Sequence, residues 1–468
     1  MTFNNAINAQ TTTTVNGMVA FKQTQNAGVD LFYKIGASRG KNILPAFIAA
    51  YVEDPQIALR IAAWSRDIRQ GAGERELFHQ ILRYLGINQP QDAAKLMKIV
   101  PTLGRFDDLL VFEDNASQES AFALIEKALK ENNALAAKWM PRKGPQANAL
   151  RKAMNLSPKA YRQLLVSLTN VVENQMCSNT WDSINFSKVP SLAHARFKKA
   201  FIRNSPAYVD YVKNLVAKTS DVKINAGSVY PYDILKGRMN RPMDKTEQDV
   251  LEQQWNALPN TVGNNAVLPL VDVSGSMFQP LSVNHNLTYA EIAVGLGLYF
   301  AEKNTGSFKD CFLTFSGEPE LLKLTGTINQ KITQMLNSKW AMNTDLTKAF
   351  SLILKTALEG KVKPEEMPKI LLILSDMQFD QCVSLNAFDM IKAQYEDADY
   401  VIPAIVFWNL NDYGNVPVRF NHQGTALVSG FSPSIALAIT KADLSAISPE
   451  NIMLSKVMDE RYNLDAYQ

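Results

Sequence analysis

The amino-acid sequence predicts an α-helical repeat region followed by a doubly wound α/β domain with a parallel sheet. Between about residues 27 and 135, apolar residues recur at three- and four-residue spacing in segments separated by short turns. This pattern is typical of stacked pairs of amphipathic helices. From residue 266, short apolar runs alternate with helical segments. That order of elements favours a parallel sheet covered by helices.

The length of 468 residues fits two or three domains of about 150 residues each. The segment 1–18 is polar and rich in threonine, and a proline, a glycine and paired asparagines mark a later connection. No sharp sequence period accompanies the helices, so the solenoid repeat is a structural expectation. We predict a flexible tail over 1–18, a HEAT-like helical domain over 19–255, a linker over 256–265 and the α/β domain over 266–468.

Local signals support individual helices in the first region. Asp54-Pro55 and Ser157-Pro158 each place a capping side chain before a proline, which is the arrangement that favours a helix start. Another helical pattern begins after the glycine pair at 71–73 and ends at Gly86. The sequence therefore predicts a succession of helices and short turns.

Positive charge is concentrated in one stretch of the predicted helical domain. Residues 1–265 contain 33 Lys and Arg against 23 Asp and Glu, whereas the remainder contains 15 against 22. Within 138–203 there are 12 basic residues and only 2 acidic ones. Such a stretch suggests a polyanionic partner. An ordinary solvated helical surface would explain the same charges equally well.

Four aromatic residues, Trp139, Tyr161, Trp181 and Phe197, are interleaved with these charges. Together they would suit phosphate contacts combined with base stacking. The alternative is that the aromatics belong to the core, which is the commoner case at helical spacing. The candidate RNA-binding residues are Lys138, Arg142, Lys143, Arg151, Lys152, Lys159, Arg162, Arg196, Lys198, Lys199 and Arg203.

Composition argues against a membrane protein and against a disulfide scaffold. No apolar run approaches the roughly 18 residues that a membrane span requires. The first residues have neither a basic segment nor an apolar core, so we expect no signal peptide. The three cysteines, Cys177, Cys311 and Cys382, match no metal spacing and no disulfide framework. We therefore expect a cytoplasmic protein without a membrane partner.

The α/β domain is predicted from five strand-like runs at 266–272, 309–315, 369–375, 400–408 and 425–430. The run at 369–375 is almost continuously apolar, as in strands that are buried on both faces. Helical patterns separate the runs at 289–302, 345–358, 387–396 and 433–439. In sheets of this kind, ligands bind beyond the carboxyl ends of the strands.

Oxygen-bearing side chains lie at that edge. Asp272, Ser274 and Ser276 form an Asp-x-Ser-x-Ser loop directly after the first strand. Thr344 precedes a helix, and Asp376 follows the strand 369–375. Alone, Thr344 is an ordinary helix cap and Asp376 an ordinary turn residue. Together, two carboxylates and three hydroxyls predict a site for a hard divalent cation, most simply Mg²⁺.

These motifs resemble known families. Asp-Val-Ser-Gly-Ser-Met at 272–277, Asn-Thr-Asp at 343–345 and Leu-Ser-Asp-Met at 374–377 resemble the metal-ion-dependent adhesion site of von Willebrand factor A domains. The helical part resembles the TROVE module of the Ro ribonucleoproteins, and more closely a TROVE-related branch. The segments that carry this second resemblance are 64–78, 103–110, 138–142 and 229–235.

The resemblance implies a ring of HEAT-like repeats closed by a von Willebrand factor A domain. It also implies that small structured RNA binds the outer basic surface and that single-stranded RNA ends enter the central hole. Only the five cation-site positions match the family motif residue by residue. The RNA-binding residues are nominated from charge alone.

We therefore expect a non-enzymatic RNA-binding scaffold of a small ribonucleoprotein. The alternative is a metal-dependent protein-interaction module, in which a partner's carboxylate completes the coordination of the cation. Catalysis is not expected, because the four histidines (His79, His194, His285 and His422) show no base or metal pattern. No phosphate-binding loop or nucleophile elbow is present either.

Overall fold

The computed structural model describes most of the chain. The described residues are 11–219, 222–236, 242–263, 266–282, 285–315, 318–338, 346–379, 385–435, 439 and 447–467. The predicted cation ligand Thr344 and its neighbours Asn343 and Asp345 lie outside these ranges.

The chain forms two compact units. An α/β unit contains residues 1–40 and 225–456, and a helical unit contains residues 41–224 and 457–468. This division differs from the predicted linear one. Residues 19–40 and 225–255 were predicted in the helical domain but belong to the α/β unit, and the last twelve residues belong to the helical unit.

Helices dominate the first half of the chain. In chain order they are α1 (Ala27–Ile35), α2 (Leu44–Glu53), α3 (Pro55–Arg66), α4 (Arg75–Asn88), α5 (Pro90–Leu103), α6 (Asn115–Lys130), α7 (Ala134–Trp139), α8 (Pro145–Ala153), α9 (Pro158–Leu168), α10 (Val172–Cys177), α11 (Ser191–Asn204), α12 (Pro206–Val216), α13 (Pro231–Leu235), α14 (Lys245–Asn256), α15 (Tyr289–Lys303), α16 (Ile328–Leu336), α17 (Leu346–Gly360), α18 (Leu385–Asp397) and α19 (Pro449–Val457).

The predicted capping signals are confirmed. The Asp54 side chain accepts the Ile57 N–H at the start of α3, and the Ser157 side chain accepts the Ala160 N–H at the start of α9. Successive helices from α2 to α7 pack against one another, as expected of helical repeats.

The strands belong to the α/β unit. They are β1 (Thr11–Thr13), β2 (Val19–Phe21), β3 (Val267–Asp272), β4 (Pro280–Ser282), β5 (His285–Thr288), β6 (Cys311–Phe315), β7 (Leu321–Lys323), β8 (Ile370–Ser375), β9 (Ala404–Asn409) and β10 (Thr425–Ser429).

The main sheet has six strands in the order β10-β9-β8-β3-β6-β7. All five predicted strands occur in it and pair in parallel. The sheet is nevertheless mixed, because the edge strand β7 is antiparallel to β6. A three-residue strand has no periodicity from which to predict it. β9 begins at Ala404 rather than at residue 400, since the preceding Pro403 has no N–H for a ladder bond.

The N-terminal segment 11–21 forms an antiparallel hairpin, so the predicted flexible tail is wrong over its described part. Phe21 and Val416 exchange two backbone hydrogen bonds of 2.9 Å, which attaches β2 to the α/β unit. Gly36, after α1, lies against Gly430, after β10, and a Cβ on Gly36 would stand 2.6 Å from the Gly430 backbone. These contacts explain why the first forty residues join the α/β unit.

The helical unit is organised around a buried carboxylate, Asp108. Arg66 Nε donates to Asp108 Oδ2 at 2.7 Å, and Arg75 Nε donates to Asp108 Oδ1 at 2.9 Å. His79 Nε2 lies 2.7 Å from Oδ1, and the Arg105 N–H donates to Oδ2. Burial alone would raise the pKa of Asp108, but the His79 hydrogen bond and the Arg66 charge lower that pKa well below its usual range.

A second carboxylate attaches the last residues of the chain. Asp67 is buried, and both of its oxygens accept from Arg461. Tyr462 adds a hydrogen bond of 3.2 Å to the same carboxylate. This explains why residues 457–468 belong to the helical unit and not to the α/β unit that precedes them.

We predict that Asp108→Asn destabilises the helical unit by about 3–5 kcal/mol, because it leaves the buried Arg66 charge without its carboxylate. The measurement is the free energy of unfolding from denaturant titration. The control is Asp210→Asn, which removes an exposed pair with Lys213 and should cost less than about 1 kcal/mol. Equal effects of the two variants would contradict the role given to Asp108.

Candidate functional site

Two aspartates meet at the point where the strand order of the sheet reverses. β3 lies between β6 and β8. The chain passes from β3 to β6 on one side, and from β7 it crosses over to β8 on the other side. This is where doubly wound sheets open a crevice for ligands. Asp272 is the last residue of β3, and Asp376 directly follows β8. Parallel pairing of β3 with β8 brings the two carboxylates to the same edge, as predicted.

Both carboxylates are almost fully buried, at 1% exposure each. Asp272 is well satisfied, because its Oδ2 accepts from Ser375 Oγ at 2.6 Å and its Oδ1 accepts the Ser274 N–H at 2.8 Å. Asp376 is not. Its Oδ1 accepts a long hydrogen bond of 3.4 Å from the Gln378 N–H, and its Oδ2 is buried with no hydrogen-bond partner among the described residues.

This arrangement changes the pKa of Asp376. Burial and the nearby charge of Asp272 raise the pKa of Asp376 to about 7, while the Ser276 hydroxyl acts in the opposite direction. Two buried carboxylates that both carry charge repel each other unless a cation lies between them. The residues present therefore fit a divalent cation.

The structure describes two of the three predicted hydroxyl ligands. Ser274 Oγ and Ser276 Oγ lie 3.2 Å apart in the loop after β3. Hydroxyl oxygens of this kind are neutral ligands that Mg²⁺ accepts in addition to water. Thr344 lies outside the described residues. Among the described residues, no group of three or more His, Cys, Asp or Glu could hold a metal ion, and this site itself has only two carboxylates.

Sequence reasoning gave no role to three residues around this site, although two of them belong to the Leu-Ser-Asp-Met motif at 374–377. Ser375 orients Asp272, and its Oγ also accepts the Met377 N–H at 3.0 Å. Met377 has φ of 63°, a left-handed conformation that is unusual for a residue with a side chain. Gln378 is buried and contacts the Asp376 backbone. Only the Ser-Asp pair at the strand end gave a signal in the sequence.

Most of the nominated basic residues lie at the surface of the helical unit. Lys138 and Arg151 are half-buried, and Lys138 forms an ion pair with Glu173 at 3.1 Å. Lys198 corrects the prediction, because it is only 7% exposed and lies within electrostatic range of the buried His194. The exposed members are Arg142, Lys143, Lys152, Lys159, Arg162, Arg196, Lys199 and Arg203.

The interleaved aromatics are mainly packed, so the core interpretation is the better one. Tyr161 is buried and donates to the Pro141 carbonyl at 3.0 Å. Trp139 is covered by the Arg105 guanidinium at 3.7 Å from its ring centroid. Trp181 and Phe197 are half-buried and pack edge-on against Phe201. Base stacking on these four rings is therefore not supported.

An apolar cavity of about 830 Å³ lies in the α/β unit at the opposite edge of the sheet. It is lined by residues at the starts of β9 and β10 and by the loop before β8. Lys369, Lys392 and His422 are the basic groups of its lining. None of the predicted site residues lies in this cavity. The predicted cation site and the apolar cavity are therefore at opposite ends of the strands.

Comparison with protein families gives two matches. Residues 14–106 and 121–268 match the model of a domain of unknown function, DUF2828. This match covers just over half of the chain. The chain belongs to the DUF2828 family. Residues 266–460 match a second domain of unknown function, DUF7788, whose segment contains Asp272 and Asp376.

Individual proteins were also found. This DUF2828 protein is 28% identical to an uncharacterized protein of Acanthamoeba polyphaga mimivirus, over 92% of this chain and 84% of the viral protein. It also aligns with the crystal structure of the Ro (RSR) protein of Deinococcus radiodurans at 12% identity, covering 92% of this chain and 94% of the other. The TM-score of that alignment is 0.36, too low to show a shared fold. Within the described part, no helix is long and apolar enough to cross a membrane.

We predict that, in cation-free buffer, the free energy of unfolding falls as pH rises from about 4 to about 7. Asp376 is protonated in the folded state up to about pH 7, but only up to about pH 4 when unfolded. The folded state therefore binds the extra proton, and stability is lost as pH rises through the folded pKa. The slope due to this group is at most about 1.4 kcal/mol per pH unit.

The measurement is denaturant unfolding across that pH range in the presence of a chelator. Asp376→Asn removes the titrating group and should flatten the profile relative to wild type. An identical pH profile in the variant would contradict the coupling of Asp376 to Asp272.

Proposed function

We propose that this protein is a non-enzymatic RNA-binding scaffold with a cation-binding α/β unit. RNA would bind the basic surface of the helical unit, which we define by the eight exposed residues Arg142, Lys143, Lys152, Lys159, Arg162, Arg196, Lys199 and Arg203. The observation that carries the proposal is their exposure within a stretch that has only two acidic residues.

The charges of this basic surface are available to phosphates. Within the described residues, none of the eight forms an ion pair, and the acidic Glu173 is occupied by Lys138. Arg142 donates only a long hydrogen bond of 3.3 Å to Thr169, and Arg151 beside them donates to Asn148. Neutralising phosphates with such side chains releases counterions, which favours binding of RNA at low salt.

The RNA class follows from the TROVE resemblance of the helical segments. It suggests small structured non-coding RNA, single-stranded RNA ends, or both, as part of a small ribonucleoprotein. The packing of the aromatic rings supports recognition through the backbone phosphates and shape of the RNA rather than through stacked bases.

We predict that the purified protein carries RNA, which can be extracted and sequenced, and that its affinity falls steeply with salt. Lys159→Glu with Arg162→Glu should weaken binding of that RNA at least about tenfold. The slope of log K against log salt should decrease in magnitude by about 2, since two phosphate contacts are lost. Filter binding across a salt series measures both quantities.

The control is Lys355→Glu with Lys363→Glu, which reverses two exposed charges in the α/β unit. It should leave the affinity and the slope close to those of wild type. Protein that carries no RNA and binds none at low salt would overturn the proposal.

We propose further that the α/β unit is a von Willebrand factor A-type domain that holds Mg²⁺. The strand order with an antiparallel edge strand and the Asp-x-Ser-x-Ser loop at the reversal point support this. Asp272 and Asp376 would hold the cation together with Ser274, Ser276 and Thr344. Bound Mg²⁺ would supply a positive charge and open coordination positions at a buried carboxylate edge.

The second candidate function is metal-dependent capture of a protein partner. The segment from 266 onward carries more acidic than basic residues, which disfavours a polyanion at the cation. Phe278, two residues after the last serine of the Asp-x-Ser-x-Ser loop, is 60% exposed. Tyr413 is partly exposed and lies within electrostatic range of Asp376. Exposed aromatic residues are enriched at protein interfaces. A carboxylate of a protein partner would then complete the coordination of the cation.

We predict that Asp272→Ala abolishes Mn²⁺ binding, measured by titration calorimetry, because half of the carboxylate pair is lost. RNA binding by the helical unit should be unchanged in filter binding. Asp397→Ala, at an exposed position of α18, is the matched control and should bind Mn²⁺ as wild type does. Retention of Mn²⁺ binding by Asp272→Ala would place the cation elsewhere.

A further inference from the structure

We infer that the N-terminal hairpin β1–β2 is part of the cation site, where it holds the loop that carries Asp376. The inference rests on the proposed cation site and adds residues that no motif indicates. Gln378 and the hairpin residues act as positioning residues, since they contact the loop around Asp376 and not the cation itself.

The turn of the hairpin bonds to the residues that follow Asp376. Thr14 Oγ1 donates to the Phe379 carbonyl at 2.6 Å. The Val15 N–H donates to Gln378 Oε1 at 2.8 Å, and Asn16 Nδ2 donates to the Gln378 carbonyl at 2.6 Å. Three consecutive hairpin residues therefore hold two consecutive loop residues.

Gln378 transmits this contact to the carboxylate. Its Nε2 donates to the Asp376 carbonyl at 3.2 Å, and its own N–H donates to Asp376 Oδ1. Because Oε1 is held by Val15, the Gln378 side chain links the hairpin to the ligand residue. Met377, between them, has the left-handed φ of 63°, a conformation that persists only where surrounding contacts enforce it.

The hairpin is itself rigidly held. The Met18 N–H donates to Thr14 Oγ1 at 2.9 Å, and Gly17 supplies the positive φ of 94° that the tight turn needs. Met18 and Ala20 belong to the same hydrophobic cluster as Phe379. The Arg419 guanidinium stacks on Phe21 at 4.0 Å. The turn can therefore act as a fixed support for the loop.

The support matters because of the repulsion at the site. Asp272 and Asp376 repel each other when both are charged, so a free loop would relax and separate them. Five hydrogen bonds oppose that movement: three join the hairpin turn to Gln378 and Phe379, and two join Gln378 to Asp376. The carboxylates are then already close when a cation arrives, and less of the binding free energy is spent on ordering the loop.

The test uses the full chain, with Mn²⁺ as the probe in titration calorimetry. Gln378→Ala and Asn16→Ala should each weaken Mn²⁺ binding by about tenfold, the effect expected for loss of one or two hydrogen bonds. Asn16 is exposed, so its substitution leaves the fold intact even if Gln378→Ala does not. Amide exchange at 376–379 in cation-free protein should be faster in both variants.

The matched control is Gln334→Ala. Gln334 makes two hydrogen bonds to the Thr325 backbone in the same unit, at 3.0 and 2.8 Å, but has no contact with the hairpin. It should bind Mn²⁺ as wild type does. Wild-type affinity in Asn16→Ala and Gln378→Ala would overturn the inference while leaving the cation site in place. Absence of Mn²⁺ binding in wild type would overturn both.

Discussion

The mutual repulsion of Asp272 and Asp376 is the constraint on which the carboxyl edge of the main sheet depends. One of two adjacent parallel strands ends at Asp272 and the other directly before Asp376. The sheet buries both carboxylates where water cannot screen them. The surrounding hydrogen-bond donors are distributed unevenly between the two carboxylates. Ser375 and the Ser274 N–H satisfy Asp272, whereas one oxygen of Asp376 has no protein donor among the described residues. An arrangement of this kind costs stability unless a cation uses it.

The helical unit shows the opposite solution to the same physical problem. Asp108 is equally buried, but two arginines, a histidine and a backbone N–H surround it. Its pKa lies well below the usual range, while that of Asp376 is raised. One buried carboxylate therefore joins helices into a core, and the other is left with coordination capacity. The contrast separates a carboxylate whose charge is balanced by its neighbours from one whose charge is not, within a single chain.

Much of this architecture could be predicted from the local pattern of apolar and polar residues. The long apolar runs ending at Asp272 and Ser375 predicted buried parallel strands, and strand topology alone then brought the two aspartates together. Features that depend on distant pairing were not predictable. The Thr-rich segment 11–21 has the composition of a tail, and only its pairing with Val416 and the loop after Asp376 makes it a hairpin. Lys198 follows the same helical charge pattern as its exposed neighbours, yet packing turns it inward.

The long separation of the hairpin from its partners also bears on synthesis of the chain. Thr14 and Phe379 are 365 residues apart. At ribosomal rates of about 5–20 residues per second, the hairpin waits on the order of 20–70 s for its docking surface to emerge. The helical segment 41–224 is complete before then and can begin to fold. The polar, threonine-rich composition of the hairpin segment is favourable during this time, because an apolar strand exposed for so long would be prone to aggregate.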